Sequence, residues 1–116
     1  MKKINILKNS RDFDRIIKNN KAYKYKDYIL FLEKNTNDVY KFGLSVGKKI
    51  GNAVRRNKVK RQIKSIISEK DYQNNFNCII IVGKGINERT FEEIKTNLLI
   101  ALNNLNLLKE NTNEKK

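Results

Sequence analysis

The chain has 116 residues, which suffice for one hydrophobic core but not comfortably for two, so we expect a single domain. Its 26 lysines and arginines outnumber its 12 aspartates and glutamates, and the formal charge of +14 exceeds what solubility requires. Because there is no histidine and one cysteine, the composition excludes histidine-based catalysis, the usual zinc sites and an internal disulfide. No catalytic residue and no metal ligand is therefore assigned.

The hydrophobic segments favour a protein of the reducing cytoplasm. Cys78 begins the apolar run 78–82, where a buried, unreactive thiol is expected. The apolar stretch after Met1 is interrupted by Asn5 and ended by Lys8, so it lacks a signal-peptide core. No run approaches the roughly 18 residues of a membrane span. We expect a soluble protein without a membrane partner.

The first predicted element is a short helix. Ser10 is a candidate N-cap, and Phe13, Ile16 and Ile17 follow at a spacing that places them on one face. Two asparagines at 19–20 are expected to end it.

Two strands are predicted next. Residues 23–33 are rich in aromatic and β-branched side chains, and 35–38 form a turn. The run 40–46 has the clearest period of two in the chain. Its members on one side are Tyr40, Phe42, Leu44 and Val46. The run 23–33 is expected to pair with 40–46 as a hairpin.

A long second helix is predicted after Gly51, with Asn52 as its N-cap. Its apolar stripe consists of Val59, Ile63, Ile66 and Ile67. A buried strand at 78–82 and a glycine-containing turn at 83–85 come next. Thr90 and Glu93 then form a capping box for the last helix.

These elements predict an α/β fold in which helices pack on one sheet. The domain is expected to span residues 1–108. The polar segment 109–116 is expected to be a disordered tail.

The positive charge is concentrated in one segment. Between Val39 and Ser68 the chain carries no acidic residue. The basic residues there are Lys41, Lys48, Lys49, Arg55, Arg56, Lys58, Lys60, Arg61 and Lys64. At 100° per residue, the cations of the second helix lie opposite its apolar stripe, and Arg55 and Arg56 flank its first turn. A helix N-terminus disfavours cations, so this placement indicates a bound anion such as phosphate; a solvated basic face is the alternative.

The segment 43–61 closely resembles the signature of the bacterial ribonuclease P protein. The resemblance depends on a strand, a loop and a helix, with Asn52, Arg56, Asn57, Lys60 and Arg61 at the family spacing. Lys58 and Lys64 depart from it, because the family more often has arginine there and lysine loses bidentate phosphate geometry. The resemblance implies element order α-β-β-β-α-β-α, a mainly four-stranded mixed sheet in an α+β sandwich, and a left-handed βαβ crossover.

The resemblance also implies function. A protein of this family assists a catalytic RNA, which uses Mg²⁺, in removing the 5′ leader of precursor tRNA, and itself binds no cofactor. The implied RNA-binding residues are Lys48, Lys49, Asn52, Arg55, Arg56, Asn57, Lys58, Lys60, Arg61 and Lys64. Phe13, Ile17 and Phe31 are implied to line a leader cleft between the first helix and the sheet, although apolar residues at such spacing also serve as core. DNA is not an expected partner.

Two other functions fit parts of the sequence. A basic ribosomal or other non-enzymatic RNA-binding protein would share the charge and the mixed fold, but would not stimulate cleavage. A nuclease acting alone would need clustered carboxylates or an acid/base pair. The carboxylates here are scattered, with Asp12 and Asp14 near the N-terminus and Glu92 and Glu93 at the last helix.

Overall fold

A computed structural model describes residues 2–109 and has the element order that the resemblance implied. Its helices and strands are α1 (Ser10–Asn19), β1 (Ala22–Tyr25), β2 (Tyr28–Lys34), β3 (Tyr40–Val46), α2 (Ala53–Ser68), β4 (Phe76–Val82) and α3 (Phe91–Asn104). Three short 3-10 turns cover Lys3–Asn5, Lys48–Ile50 and Lys84–Glu88. Within the described residues, no helix is long and apolar enough to cross a membrane.

β4 lies between two other strands in the four-stranded sheet, whose order is β1-β2-β4-β3. It pairs antiparallel with β2 and parallel with β3 along its whole length. Cys78, Ile79 and Ile80 are all fully buried, as expected for a continuous apolar run. Burial raises the pKa of the Cys78 thiol, which agrees with the predicted unreactive state. The predicted mixed four-stranded sheet is confirmed.

The predicted hairpin between residues 23–33 and 40–46 is wrong. The first run breaks at Lys26, whose φ of 53° forms a turn with Asp27, and its two halves pair with each other as β1 and β2. β2 and β3 are separated by β4. A period of two identifies a strand but not its neighbour, and the more apolar β4 takes the place between them.

The sheet is covered on both faces. On one face, α1 packs through the fully buried Ile16 onto Phe31 and Ile79. On the other face, α2 and α3 enclose the main core, into which the predicted stripe of α2 points. Each large aliphatic side chain that is fully buried stabilises the fold by roughly 1.5–3 kcal/mol, so these two interfaces are the main source of stability. The order of layers is therefore α1, sheet, then α2 with α3.

Side-chain caps begin all three helices. The caps of α2 and α3 are those predicted, including the reciprocal bonds between Thr90 and Glu93. The cap of α1 is Asn9 rather than Ser10: Asn9 Oδ1 accepts the Arg11 N–H at 2.9 Å, and Ser10 is the first helical residue. Both residue types are good caps, so the sequence pattern could not separate the two positions.

The N-terminal segment lies along the outer edge of β3. Ile6 forms a parallel bridge with Phe42, and the Leu7 N–H donates to the Phe42 carbonyl oxygen at 2.8 Å. Asn5 Nδ2 donates to the Tyr40 carbonyl oxygen at 2.7 Å. These bonds cover part of an edge that would otherwise present unpaired backbone groups.

The chain after α3 returns to the segment that follows α2. Tyr72 and Leu108 form an antiparallel bridge, and the Lys109 N–H donates to the Asp71 carbonyl oxygen at 2.9 Å. The rest of the predicted tail, residues 110–116, lies outside the described residues, so its disorder stays a prediction.

Gly43 allows α1 to approach the sheet. A Cβ at this position would lie 2.5 Å from Cζ of Phe13, so Gly43→Ala must displace the Phe13 ring. We expect the free energy of unfolding in urea to fall by about 1 kcal/mol, the lower end for overpacked sites, because the half-buried ring borders an open groove into which it can move. Gly47→Ala is the matched control, because no atom of the described residues beyond its chain neighbours lies within 4 Å of its Cβ position, and its effect should stay within about 0.5 kcal/mol. Equal effects of the two substitutions would contradict this packing.

Candidate nucleic-acid interface

The outer face of α2 is basic and accessible. Val59, Ile63 and Ile66 face the core, while seven of the ten predicted RNA-binding residues are exposed. These seven are Lys48, Lys49, Asn52, Asn57, Lys58, Arg61 and Lys64. Arg55, Arg56 and Lys60 are half-buried. We call these ten residues the basic face. For the seven members within α2, the outward position follows from the helical period, because the same turns that bury the apolar stripe direct these side chains away from the sheet.

No carboxylate of residues 2–109 forms an ion pair with the basic face. The ion pairs of this part of the chain join Arg15 to Asp12 and Glu33, Arg89 to Asp27, and Lys95 to Glu69. All of them involve cations outside the basic face. The described acidic residues therefore leave its charge unneutralised, and mutual repulsion among its cations persists until an anion binds.

The N-terminus of α2 is fixed by its own cap. Asn52 Oδ1 accepts the Arg55 N–H at 3.0 Å, which occupies the N-cap that the sequence predicted. Before it, Gly51 has a φ of 150°, a conformation that favours glycine. The Lys48–Ile50 turn precedes Gly51 and leaves Lys48 and Lys49 exposed beside the start of the helix.

Arg56 has a buried donor without a partner in the described part of the chain. Its Nε lies out of contact with solvent and pairs with no acceptor, and Oε1 of Gln62 is in the same condition. An unpaired buried polar group costs roughly 1–3 kcal/mol. The segment of highest positive charge therefore contains at least one arginine donor that the acceptors of residues 2–109 do not satisfy.

The predicted cleft residues lie together on the α1 side of the sheet. Phe31 is buried in the cluster with Ile16, and Phe13 and Ile17 pack at its border and stay half-buried. Toward the β1–β2 turn, the next row of the sheet contains Ile29 and Ile81, which are also half-buried. The open floor of the cleft thus includes two isoleucines that sequence reasoning did not select.

A groove of about 220 Å³ connects Phe13 with the basic face. Lys60 and Lys64 of α2 line it from one side, and Lys8 and Leu44 also border it. Ile17 and Phe31 do not line this groove. Lys8 was missed because it reaches this position only through the pairing of the N-terminal segment with β3, and no local sequence pattern indicates that pairing.

An ion-pair network fixes α1 against the sheet. Arg15 donates from Nε to Oε2 of Glu33 at 3.0 Å and from Nη2 to Oε1 at 2.8 Å, and Asn77 Nδ2 donates to the same Oε1 at 2.8 Å. Arg15 also donates to Oδ1 of Asp12 at 2.6 Å. The hydrogen bond from Arg15 is the main reason that the pKa of Glu33 is lowered. This network positions the helix that carries Phe13.

The described residues contain no group of three or more histidine, cysteine, aspartate or glutamate side chains arranged to hold a metal ion. The positively charged side chains of the basic face are suited instead to hydrogen bonds with oxyanions, of which the arginines can make bidentate ones.

The fold and the surface define a small, basic α/β protein in which a mixed four-stranded sheet lies between one helix and a pair of helices. Comparison with known proteins identifies the family. The family model described as Ribonuclease P matches residues 1–106. A ribonuclease P protein component of Streptococcus pyogenes is 34% identical over 111 residues, which cover 95% of this chain and 93% of the relative.

Solved structures give the same result. The ribonuclease P protein of Staphylococcus aureus superposes with a TM-score of 0.80 at 27% identity, covering 90% of this chain and 98% of that one. The protein from Thermotoga maritima gives a TM-score of 0.75 at 28% identity, covering 83% and 93%. The chain belongs to the ribonuclease P protein family, the protein component of a ribonuclease holoenzyme.

The Glu33 network predicts a pH dependence of stability. Because the pKa of Glu33 is lowered in the folded protein, its contribution is complete above the ordinary pKa of a glutamate and is lost as the pH falls through the lowered value. Urea unfolding across the acidic range should show this loss. Glu33→Gln should remove that part of the dependence, and an identical pH profile for the two proteins would contradict the assignment.

The basic face predicts a salt dependence of RNA binding. Changing Arg56 and Arg61 together to alanine should weaken binding to a ribonuclease P RNA and reduce the slope of log K against log salt by roughly 0.7–0.9 per lost phosphate contact. Filter binding over a salt series measures this slope. The control is Arg15→Ala with Lys95→Ala, which removes two cations already paired within the protein. If both double variants had the same slope, the basic face would not be the phosphate contact.

Proposed function

We propose that this chain binds the catalytic RNA of ribonuclease P through the basic face, holds the single-stranded 5′ leader of precursor tRNA beside α1, and so assists removal of the leader by the RNA. Membership of the family supports a role in tRNA 5′ processing. The observation that carries the rest is the unneutralised charge on the outer side of α2.

A folded RNA is a suitable partner for this face. Phosphate groups along an RNA backbone repeat at short intervals, and each cation that replaces a condensed counterion gains binding free energy by releasing it. The basic face spans about four turns from the Lys48–Ile50 turn to Lys64, so several phosphates can be contacted at once. Lys58 and Lys64 contribute charge, whereas Arg55, Arg56 and Arg61 can also donate two parallel hydrogen bonds.

The leader is proposed to run over Phe13 and along the open floor beside α1. Stacking on an aromatic ring is worth roughly 1–3 kcal/mol per base and does not depend on base identity, which suits leaders of differing sequence. Of the predicted cleft residues, Phe13 has the most favourable position, because it is half-buried and also borders the groove that contains Lys60 and Lys64. Ile17 supplies apolar contact without stacking. Phe31 is only 9% exposed and supports the cleft from below.

Bond cleavage is proposed to belong to the RNA and its Mg²⁺ ions. Among the described residues, five carboxylates have structural partners: Asp12 and Glu33 hold Arg15, Asp27 holds Arg89, Glu69 holds Lys95, and Glu93 caps α3. The role of the protein is then to position substrate and to lower electrostatic repulsion between two RNAs, which reduces the Mg²⁺ concentration that the reaction needs. A general or ribosomal RNA-binding role is less well supported, since the relatives are ribonuclease P proteins.

A reconstitution assay tests this function. At low Mg²⁺, precursor tRNA should be cleaved by a bacterial ribonuclease P RNA together with this chain, and much more slowly by either one alone. The chain should also lower the Kd of the RNA for precursor tRNA relative to mature tRNA, because only the precursor has a leader. Phe13→Ala should reduce this preference, whereas Phe91→Ala, a partly exposed aromatic on α3, should not.

Two outcomes would refute the proposal. Cleavage by the protein alone at catalytic rates would assign the chemistry to the chain. RNA binding without any stimulation of cleavage would favour a general RNA-binding role.

A further inference from the structure

Arg55 differs from the other arginines of the basic face because a residue outside α2 holds its side chain. Arg55 Nε donates to Oδ1 of Asn87 at 2.8 Å, and Nδ2 of the same asparagine donates to the Ile50 carbonyl oxygen at 2.8 Å. Asn87 therefore bridges the guanidinium and the turn that precedes α2. No sequence motif selected it, since it lies 32 residues from Arg55.

The aliphatic part of Arg55 is constrained as well. A Cβ at Gly51 would lie 3.1 Å from Cγ and 3.2 Å from Cβ of Arg55, so the arginine side chain crosses directly over the glycine. The Arg55 N–H is already bonded to the Asn52 side chain. The Asn52 bond holds the backbone of Arg55, whereas Gly51 and Asn87 restrict its side chain at Cβ, Cγ and Nε. These restrictions reduce the rotamer entropy that binding would otherwise cost.

The Lys84–Glu88 turn, which carries Asn87, is itself held in place. Asp27 accepts the Gly83 N–H on its carbonyl oxygen at 2.7 Å, and its carboxylate accepts Arg89 Nε at 2.7 Å. Between these residues, Ile86 is fully buried. A Cβ at Gly85 would collide with the Asp27 carboxylate, which shows how closely the turn approaches it. Asn87 is thus presented from a turn anchored on both sides.

The residue that holds Arg55 is a neutral amide, and this distinguishes it from the ion pairs elsewhere in the protein. A carboxylate at position 87 would hold the guanidinium more strongly, but it would also cancel its charge. An amide fixes Nε and leaves the full positive charge, and among the described residues neither terminal nitrogen of Arg55 has a hydrogen-bond acceptor. Those two nitrogens form the end-on fork that matches two oxygens of a phosphate.

We propose that Asn87 is a positioning residue of the RNA interface: it orients Arg55 as a prearranged phosphate contact and thereby extends the interface from α2 to the Lys84–Glu88 turn. The inference rests on the proposed function, because it assumes that the basic face binds RNA. It adds a residue that does not itself contact the RNA and acts through Arg55.

A double-mutant cycle on the full chain tests the coupling, with a bacterial ribonuclease P RNA as the probe. Arg55→Ala should weaken binding and reduce the salt slope by roughly 0.7–0.9, the value for one phosphate contact. Asn87→Ala should weaken binding about two- to fivefold through the regained freedom of one side chain, with the slope unchanged because the charge stays. In the Arg55→Ala background, Asn87→Ala should have no further effect.

A second variant guards against misfolding. Asn87→Asp keeps the size and the acceptor for Arg55 Nε, but it neutralises Arg55 and loses the donor to the Ile50 carbonyl oxygen. It should therefore reduce the salt slope by about as much as Arg55→Ala. Asn74→Asp is the matched control, since it makes the same charge change at an exposed loop position beyond the far end of α2. Thermal unfolding of each variant gives the folded fraction used in every Kd.

The outcomes separate the two proposals. If Asn87→Ala weakened binding equally with and without Arg55, Asn87 would act through the fold and the inference would be wrong. An unchanged slope for both Arg55→Ala and Asn87→Asp would also overturn it. If the Arg56 and Arg61 double variant kept the slope as well, the proposed RNA-binding function would fail, and not only the role of Asn87.

Discussion

β4 is the element on which the arrangement of this protein depends. It pairs with a different strand along each edge, and both of its faces are covered by helices. A strand in this environment must be apolar at nearly every position, and residues 78–82 meet that requirement. Since β3 and β4 are parallel, the chain between them must return along the sheet, and α2 makes this connection. The basic face is therefore the solvent side of an obligatory crossover.

Most ion pairs of the described residues lie between structural elements, and none lies on the basic face. Three of the four ion pairs of the described residues join elements to one another: Arg15 attaches α1 to β2 through Glu33, Arg89 attaches the start of α3 to the β1–β2 turn, and Lys95 connects α3 with the end of α2. The fourth, between Arg15 and Asp12, lies within α1. The acidic residues that take part hold the layers together instead of neutralising the crossover helix. The folded protein thus keeps a strong local field at the one surface where an anionic partner would gain most from it.

Local rules predicted much of the fold from the sequence. Helical spacing located α1, α2 and α3, and the apolar run located β4, because burial imposes periodicity on neighbouring residues. The pairing of β2 with β3 was predicted wrongly, because the prediction depended only on the alternation of apolar and polar residues. Both strands have the pattern of a hairpin strand. The resemblance to the family, and not the periodicity, supplied the third strand before α2.

The candidate site also contains residues that the sequence predicted and residues that it did not. The cations of the basic face follow from sign segregation and helical geometry, both of which are visible in the sequence. The resemblance to the family added Asn52 and Asn57 as RNA-binding residues. Lys8, Ile29, Ile81 and Asn87 were not predicted, because each reaches its position through contacts between distant segments. The N-cap of α1 was misplaced by one residue, because Asn9 and Ser10 are both good caps and the sequence does not distinguish them.

The strand order has a consequence for how the chain is made. β2 pairs with β1 along one edge, but its other edge and the facing edge of β3 receive their common partner only when residues 76–82 are available. The N-terminal segment in turn docks on β3, some 35 residues later in the chain. During translation, the growing polypeptide would expose α2 and two unmatched strand edges until roughly two thirds of it had emerged, because contacts between distant segments cannot form earlier. Repulsion among the cations of nascent chains would then help to keep them apart during that interval.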